Sequence, residues 1–228
     1  MALRHPINHE LQLNLSEMKK SKKSYIYPFI LLFILFSCDS GFDEMNTNPV
    51  RLTSIDPAFQ LNQAIISSSP GYNNLTYEVT IVRQMITPFQ GVGTGGNLNQ
   101  DNRAATEGNW NTGYRTVLKN LIDGLARLES MPERTNLKHI LQIWKAHTFM
   151  TLTDTYGDIP YSEAGKGYID GLVFPKYDSQ ESIYAGILSD LEAAVQGLDA
   201  SKDAIGQEVM YSGNVEQWKR LGNSLMLR

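Results

Sequence analysis

From residue 58 onward the apolar positions of this chain recur at intervals of three and four, the spacing of one helix face. Residues 58–69 and 74–87 carry the first two such patterns, interrupted by Pro70-Gly71 and closed by Pro88. A stronger pattern runs from about 107 to 129, where Trp110, Tyr114, Val117, Leu118, Leu121, Ile122, Leu125 and Leu128 share a face. Met131-Pro132 ends it, and a further helix is predicted over 135–153, burying Leu137, Ile140, Leu141, Trp144 and Met150. Two such helices joined by a few residues make an antiparallel hairpin.

The next helix is predicted over 179–198, opened by a capping-box pattern from Asp178 to Glu181. Its apolar face is Ile183, Tyr184, Ile187, Leu188, Leu191, Val195 and Leu198. The last pattern begins at Asn214, with Gln217 three residues on, and carries Trp218, Leu221 and Leu225. It is still running at Arg228 with no glycine or proline to end it. The chain therefore reads as truncated in mid-helix, with Trp218 and Leu225 lacking the partner that would bury them. Repeated helix pairs of this length predict an all-α, tetratricopeptide-like stack, although the sequence period is degenerate. Two long polar loops interrupt it, at 91–109 and 154–178.

The first 57 residues differ in kind. Lys19, Lys20, Lys22 and Lys23 precede an apolar run from Tyr25 to Phe36, and Leu35-Phe36-Ser37-Cys38 follows the order of a lipoprotein cleavage box. A small residue before the cut suits a signal peptidase, and only a thiol forms the thioether that carries diacylglycerol. The run is too short for a hydrocarbon core of about 30 Å, which takes roughly 20 residues. It also holds Pro28 and meets polar sequence at once. An ordinary secretory signal, with Cys38 there by chance, is the competing reading. Residues 1–17 precede the positive segment and are read as a misassigned upstream start, with 18–37 as the signal peptide and 38–57 as a lipidated tether. The N-terminal part of a helical domain then fills 58–228. One acyl chain holds a membrane weakly, whereas a lipoprotein cysteine carries more than one.

Cleavage before Cys38 takes five of the 20 basic and two of the 24 acidic residues, leaving 15 against 22 and a net of about −7. That sign argues against nucleic acid or anionic lipid as partner, because both demand clustered Lys and Arg. Cys38 is the one cysteine, so once it is lipidated no thiol remains for disulfides, metal or catalysis.

Motif chemistry is sparse. Gly91 to Gly96 spells GxGxxG, but no strand leads into it and polar loop follows, so it reads as a flexible loop. His139 and His147 lie two helical turns apart, too far to share one metal ion unaided. Asp154 and Asp158 flank Tyr156-Gly157 without the alternating ligands of a calcium loop, and read as capping and loop hydrogen-bonding groups. Asp43-Glu44 sit in the tether, where nothing holds them in catalytic geometry. No cofactor motif and no catalytic constellation is present, so nothing argues for an enzyme.

A surplus of aromatic and amide side chains in loops remains. Sugars stack their C–H faces on aromatic rings while amides and charged groups satisfy their hydroxyls. Gln90, Asn97, Asn99, Gln100, Asp101, Asn102 and Arg103, close in sequence to Trp110, form the candidate ligand surface. Trp110 has a second reading, as the first core residue of its helix. Long loops in helical domains are often functional.

Several segments resemble the SusD/RagB family of nutrient-binding outer-membrane lipoproteins of Bacteroidota. FDEMNTNP (42–49) is similar to the family's tether, and WNTGYRTVLKNL (110–121) to its first long helix. The most specific match is TDTYGDIPYSEA (153–164) with PKYDSQESIYAGILSDLEAA (175–194), followed by YSGNVEQWKRLGNSLMLR (211–228). The resemblance implies the N-terminal half, roughly, of a tetratricopeptide-like binder. Such a protein sits at the cell surface over a TonB-dependent transporter and captures oligosaccharides or, in some members, peptides. Asp39 to Glu44 resemble the family's surface-export signal, and Tyr156 to Tyr161 a structural turn. It transfers no individual ligand residue. A helical scaffold that only assembles partners, and a peptide binder of the same fold, are the alternatives.

Overall fold

The structure is a computed structural model that describes residues 55–69, 71–86 and 102–228. Most of the tether with Cys38, the glycine-rich stretch and most of the first long loop therefore lie outside the described residues. Within them the secondary structure is helical. Helices α1 (Pro57–Ser67) and α2 (Tyr72–Ile81) are followed by α3 (Arg103–Thr112). A π-helical segment (Gly113–Leu118) runs straight into α4 (Lys119–Leu128). Then come α5 (Thr135–Tyr156), α6 (Gln180–Gly197) and α7 (Val215–Met226). The one extended contact described is an isolated antiparallel bridge between Ile159 and Asp178.

α5 packs on α4 and most extensively on α6, and α6 on α7, while α4 lies chiefly against α1, which also meets the π segment. This is the predicted tetratricopeptide-like pairing. Leu61, Val117, Leu118, Leu121, Leu137, Ile140, Leu141, Ile143 and Phe149 meet Ile183, Ile187, Leu191 and Trp218 in one core. Each buried side chain of this size contributes about 1.5–3 kcal/mol relative to exposure.

The helix starts show their chemistry. Asp56 Oδ1 accepts from Ala58 N at 2.8 Å and Pro57 stands at the first position of α1, where a missing N–H costs nothing. Asn214 caps α7 through Gln217 N at 3.1 Å, as its spacing predicts. The cap of α6 is different from expectation: Ser179, not Asp178, accepts from Ser182 N. Asp178 is engaged elsewhere, taking Tyr161 N, Ser162 N and the Ser162 hydroxyl.

Other expectations shift at their edges. α2 ends at Ile81 instead of 87, because Arg83 adopts a left-handed backbone (φ 59°). α3 begins at Arg103, which shortens the first loop, and α5 continues to Tyr156 before Gly157 (φ 77°, ψ −122°) turns the chain. Leu188 stands at the margin of the α6 face and is 42% exposed, while Ala194 is buried instead. Trp218 and Leu225 need no further helix. Both are buried, Trp218 edge-on to Trp144 and Tyr211, with its Nε1 donating to Glu208 at 3.1 Å.

The π segment had no sequence signal of its own. It lies where Gly113 faces Leu152 of α5 so closely that a Cβ would come within 2.9 Å of Leu152 Cδ2. π turns inside α-helices are frequent at functional sites.

Candidate ligand-binding site

Trp110 lies on α3, half-buried against the core, and three tyrosines from different parts of the chain converge on it. Tyr114, one turn along, has its ring centroid at 4.6 Å, and Tyr156, at the end of α5, meets it edge-on at 5.3 Å. Tyr177, from the second loop, lies nearly parallel to the indole, with planes 21° apart and centroids 6.4 Å apart. Tyr177 is 64% exposed, so this pair has one packed and one solvent-facing member.

The position of Trp110 is set by its backbone. Trp110 N donates to the Tyr156 hydroxyl at 3.0 Å, and that hydroxyl donates in turn to Thr106 O. A regular helix would join Trp110 N directly to the carbonyl four residues back; here a phenol is inserted into that link. Tyr114 Oη donates to Pro160 O at 2.6 Å and ties the π segment to the second loop. Burial raises the pKa of Tyr156, which stays protonated and can keep donating. Tyr114 is raised further, by burial and by the nearby Tyr177 and Asp178.

Of the residues expected to contact ligand, Asn102, Arg103 and Trp110 are described, and Gln90, Asn97, Asn99, Gln100 and Asp101 lie outside the described residues. Arg103 opens α3 two turns before Trp110, on the same side of the helix. It pairs with Glu107 at 3.7 Å with both side chains exposed, an ion pair worth little. The ring of Trp110 packs inward, as its reading as a core residue of the helix expects, while Tyr177 extends the aromatic surface outward. Sequence reasoning missed Tyr177, whose signal is its loop position with Tyr168 and Phe174. Those two are 90% and 91% exposed.

The remaining candidates have structural duties. Asp158 Oδ1 accepts from Gln180 N at 2.9 Å, at the start of α6. Asp154 takes the Tyr184 hydroxyl and, at 2.7 Å, Arg228. His139 pairs with Gln142 Oε1 at 2.9 Å, and His147 lies over Trp144 with centroids 4.9 Å apart. Among the described residues no group of three or more His, Cys, Asp or Glu side chains is placed to hold a metal ion. Nor is any described helix long and apolar enough to cross a membrane.

The model of a SusD-like family, described as starch-binding and associating with the outer membrane, matches residues 49–228, and the chain belongs to that family. Among solved structures, a chitin-binding protein is 31% identical with a TM-score of 0.65, over 75% of this chain and 37% of its own. A SusD-like protein of Bacteroidetes is 27% identical with a TM-score of 0.63, over 75% and 32%. A SusD/RagB protein of Bacteroides thetaiotaomicron shares the fold at 21% identity, with a TM-score of 0.64 over 75% and 37%. The chain thus spans about a third of the length of these structures. No curated protein matches it.

Proposed function

We propose that this chain belongs to a surface-exposed outer-membrane lipoprotein that binds oligosaccharide and delivers it to a TonB-dependent transporter, without catalysing a reaction. The observation that carries the reading is the family match over residues 49–228. The 31% identity to a chitin-binding protein supports a glycan as ligand. Cys38 carries the lipid after removal of residues 18–37, and residues 38–57 tether the helical domain that follows. The exposed ring of Tyr177 and the indole of Trp110 supply a stacking surface for sugar rings, with Asn102 and Arg103 on the same helix start to meet hydroxyls.

The test is a polysaccharide and peptide panel against the purified protein, together with its recovery from native membranes. Retention on starch or chitin and co-purification with an outer-membrane barrel are expected. Failure on every glycan, or binding to peptides alone, overturns the ligand assignment. A protein that never accompanies a barrel overturns the delivery role. Labelling with palmitate that persists in Cys38→Ala would remove the anchor from Cys38.

A further inference from the structure

We propose that the cleft between α2, the π segment and α5 is a second binding site, taking one end of a neutral hydroxylated ligand of about one or two sugar rings. It depends on the function proposed above only for the choice of sugars as ligand. The cleft has a volume of about 470 Å³, within the range of small-molecule sites. It lies on the side of α3 where Asn109 Nδ2 donates to Glu78 of α2 at 2.9 Å, whereas Trp110 faces Tyr156 and Tyr177.

The walls define what fits. Along α5, Thr148, Thr151 and Thr155 line the cleft. Each hydroxyl donates its hydrogen to its own helix: Thr148 to Trp144 O at 2.8 Å, Thr151 to His147 O at 3.1 Å and Thr155 to Thr151 O at 2.8 Å. With their hydrogens used, the three oxygens offer lone pairs. Ser68, on the rim, donates to Ala64 O at 2.7 Å and accepts from Trp144 Nε1 at 3.0 Å, which leaves its oxygen one lone pair. The Glu78 carboxylate adds further acceptors, and no lysine or arginine is among the lining residues.

A wall of acceptors calls for a ligand rich in donors, which sugar hydroxyls supply and anions do not. Val117, Leu152 and the threonine methyls give an apolar floor for the C–H face of a ring. His147 also lines the cleft. Its Nδ1 is buried and, among the described residues, has no hydrogen-bond partner. Burial lowers its pKa, with Arg228 acting in the same direction, so the ring is neutral near pH 7. A buried polar atom left unpaired is costly, and a bound hydroxyl reaching it directly or through water would remove that cost.

The experiment is calorimetric titration of the full chain with maltose and with N,N′-diacetylchitobiose, beside affinity electrophoresis in starch and chitin derivatives. Thr151 and Thr155 are exposed, so the double variant T151V/T155V keeps the fold while removing two acceptors. Disaccharide binding is expected to weaken about tenfold in T151V/T155V. Polymer retention should fall in Tyr177→Ala. If disaccharide binds equally well to T151V/T155V, or does not bind while polymer is retained, the cleft proposal is overturned and the proposed function stands. If neither disaccharide nor polymer binds, both are overturned. Glucose 6-phosphate binding as tightly as glucose would overturn the neutral class. Should the double variant fail to fold, the ring nitrogens of His147 in wild type provide the readout by NMR: saturable shifts with disaccharide support the site, and none overturns it.

Discussion

Two irregular segments join the last three helices, and they are built in opposite ways. The segment 198–214, between α6 and α7, is fastened along its length by polar side chains, with the buried Glu208 at their centre. Glu208 is 3% exposed and accepts from Met210 N, from Tyr211 N at 2.8 Å, from Gly213 N at 3.3 Å and from Trp218 Nε1 at 3.1 Å. Asn62 of α1 receives Val209 N and donates to Gln207 O. Asp203 reaches across to the start of α5, accepting from Asn136 N at 2.7 Å and Leu137 N at 3.2 Å. The segment 157–179, between α5 and α6, is fastened only near its two ends. Ile159 pairs with Asp178, Asp178 grips Tyr161 and Ser162, and Glu163 accepts from Lys176 N at 2.9 Å. Beyond this clasp Tyr168, Val173 and Phe174 stand in solvent. One connection is an internal part of the fold; the other holds a base rigid and presents an apolar tip.

The largest effect should come from the first segment. Glu208→Ala leaves four N–H donors without their acceptor, Trp218 Nε1 among them, and unpaired buried donors cost about 1–3 kcal/mol each before relaxation or water entry. A loss on the order of 3 kcal/mol in denaturant unfolding is expected. A loss no larger than that of an exposed substitution would mean that the segment is no better anchored than the other.

Asp203→Ala comes next. α5 starts at Thr135 after Arg134, which gives no side-chain cap, and Asp203 serves its first N–H groups from a distant part of the chain. Removing such a cap costs about 0.5–2 kcal/mol. Asp203→Asn, which keeps an acceptor, should recover most of the melting temperature. Equal losses in both variants would assign the effect to charge and not to capping.

These two residues also show where reading the sequence stops. The α5 face of Leu137, Ile140, Leu141, Trp144 and Met150 is buried as its spacing predicts, since periodicity reports a local relation between side chain and core. The capping of α5 by Asp203 is non-local, and no pattern near residue 135 announces it. Adjacent Asp178 and Ser179 were both suitable caps for α6; only the position of the 159–162 turn decides that Asp178 is taken by that turn. The candidate site divides in the same way. Trp110 was legible as a helix-face aromatic, whereas Tyr177 became its partner through the folding back of the second loop.

Acid should loosen the clasp of the second segment selectively. Burial alone would raise the pKa of Asp178, but hydrogen bonds from Ser162 and Tyr161 and the charge of Lys176 outweigh it and hold the carboxyl below its ordinary range. A carboxyl lowered on folding stabilises fully above its unfolded pKa of about 3.9, and that contribution is lost as pH falls through the folded value. Amide exchange at Tyr161 and Ser162 should therefore accelerate below about pH 4, and Asp178→Asn should remove that pH dependence. A profile unchanged in Asp178→Asn would show that another group holds the clasp.

The smallest effect on stability belongs to the tip, and it separates anchoring from function. Tyr168 and Phe174 are almost wholly exposed and their rings take part in no described aromatic pair, so the double variant Y168S/F174S removes little burial. Substitutions at such sites usually fall within about 0.5 kcal/mol, and a melting temperature close to wild type is expected. Tyr177, at the inner end of the same segment, stacks on Trp110 and is the contrasting position. Glycan retention should fall in Tyr177→Ala, where the platform loses its outer ring. Y168S/F174S should alter retention only if the tip closes over the same ligand. Intact retention in Y168S/F174S with loss in Tyr177→Ala would confine recognition to the Trp110 platform. The reverse result would move the binding surface to the tip and leave Trp110 and its three tyrosines as core.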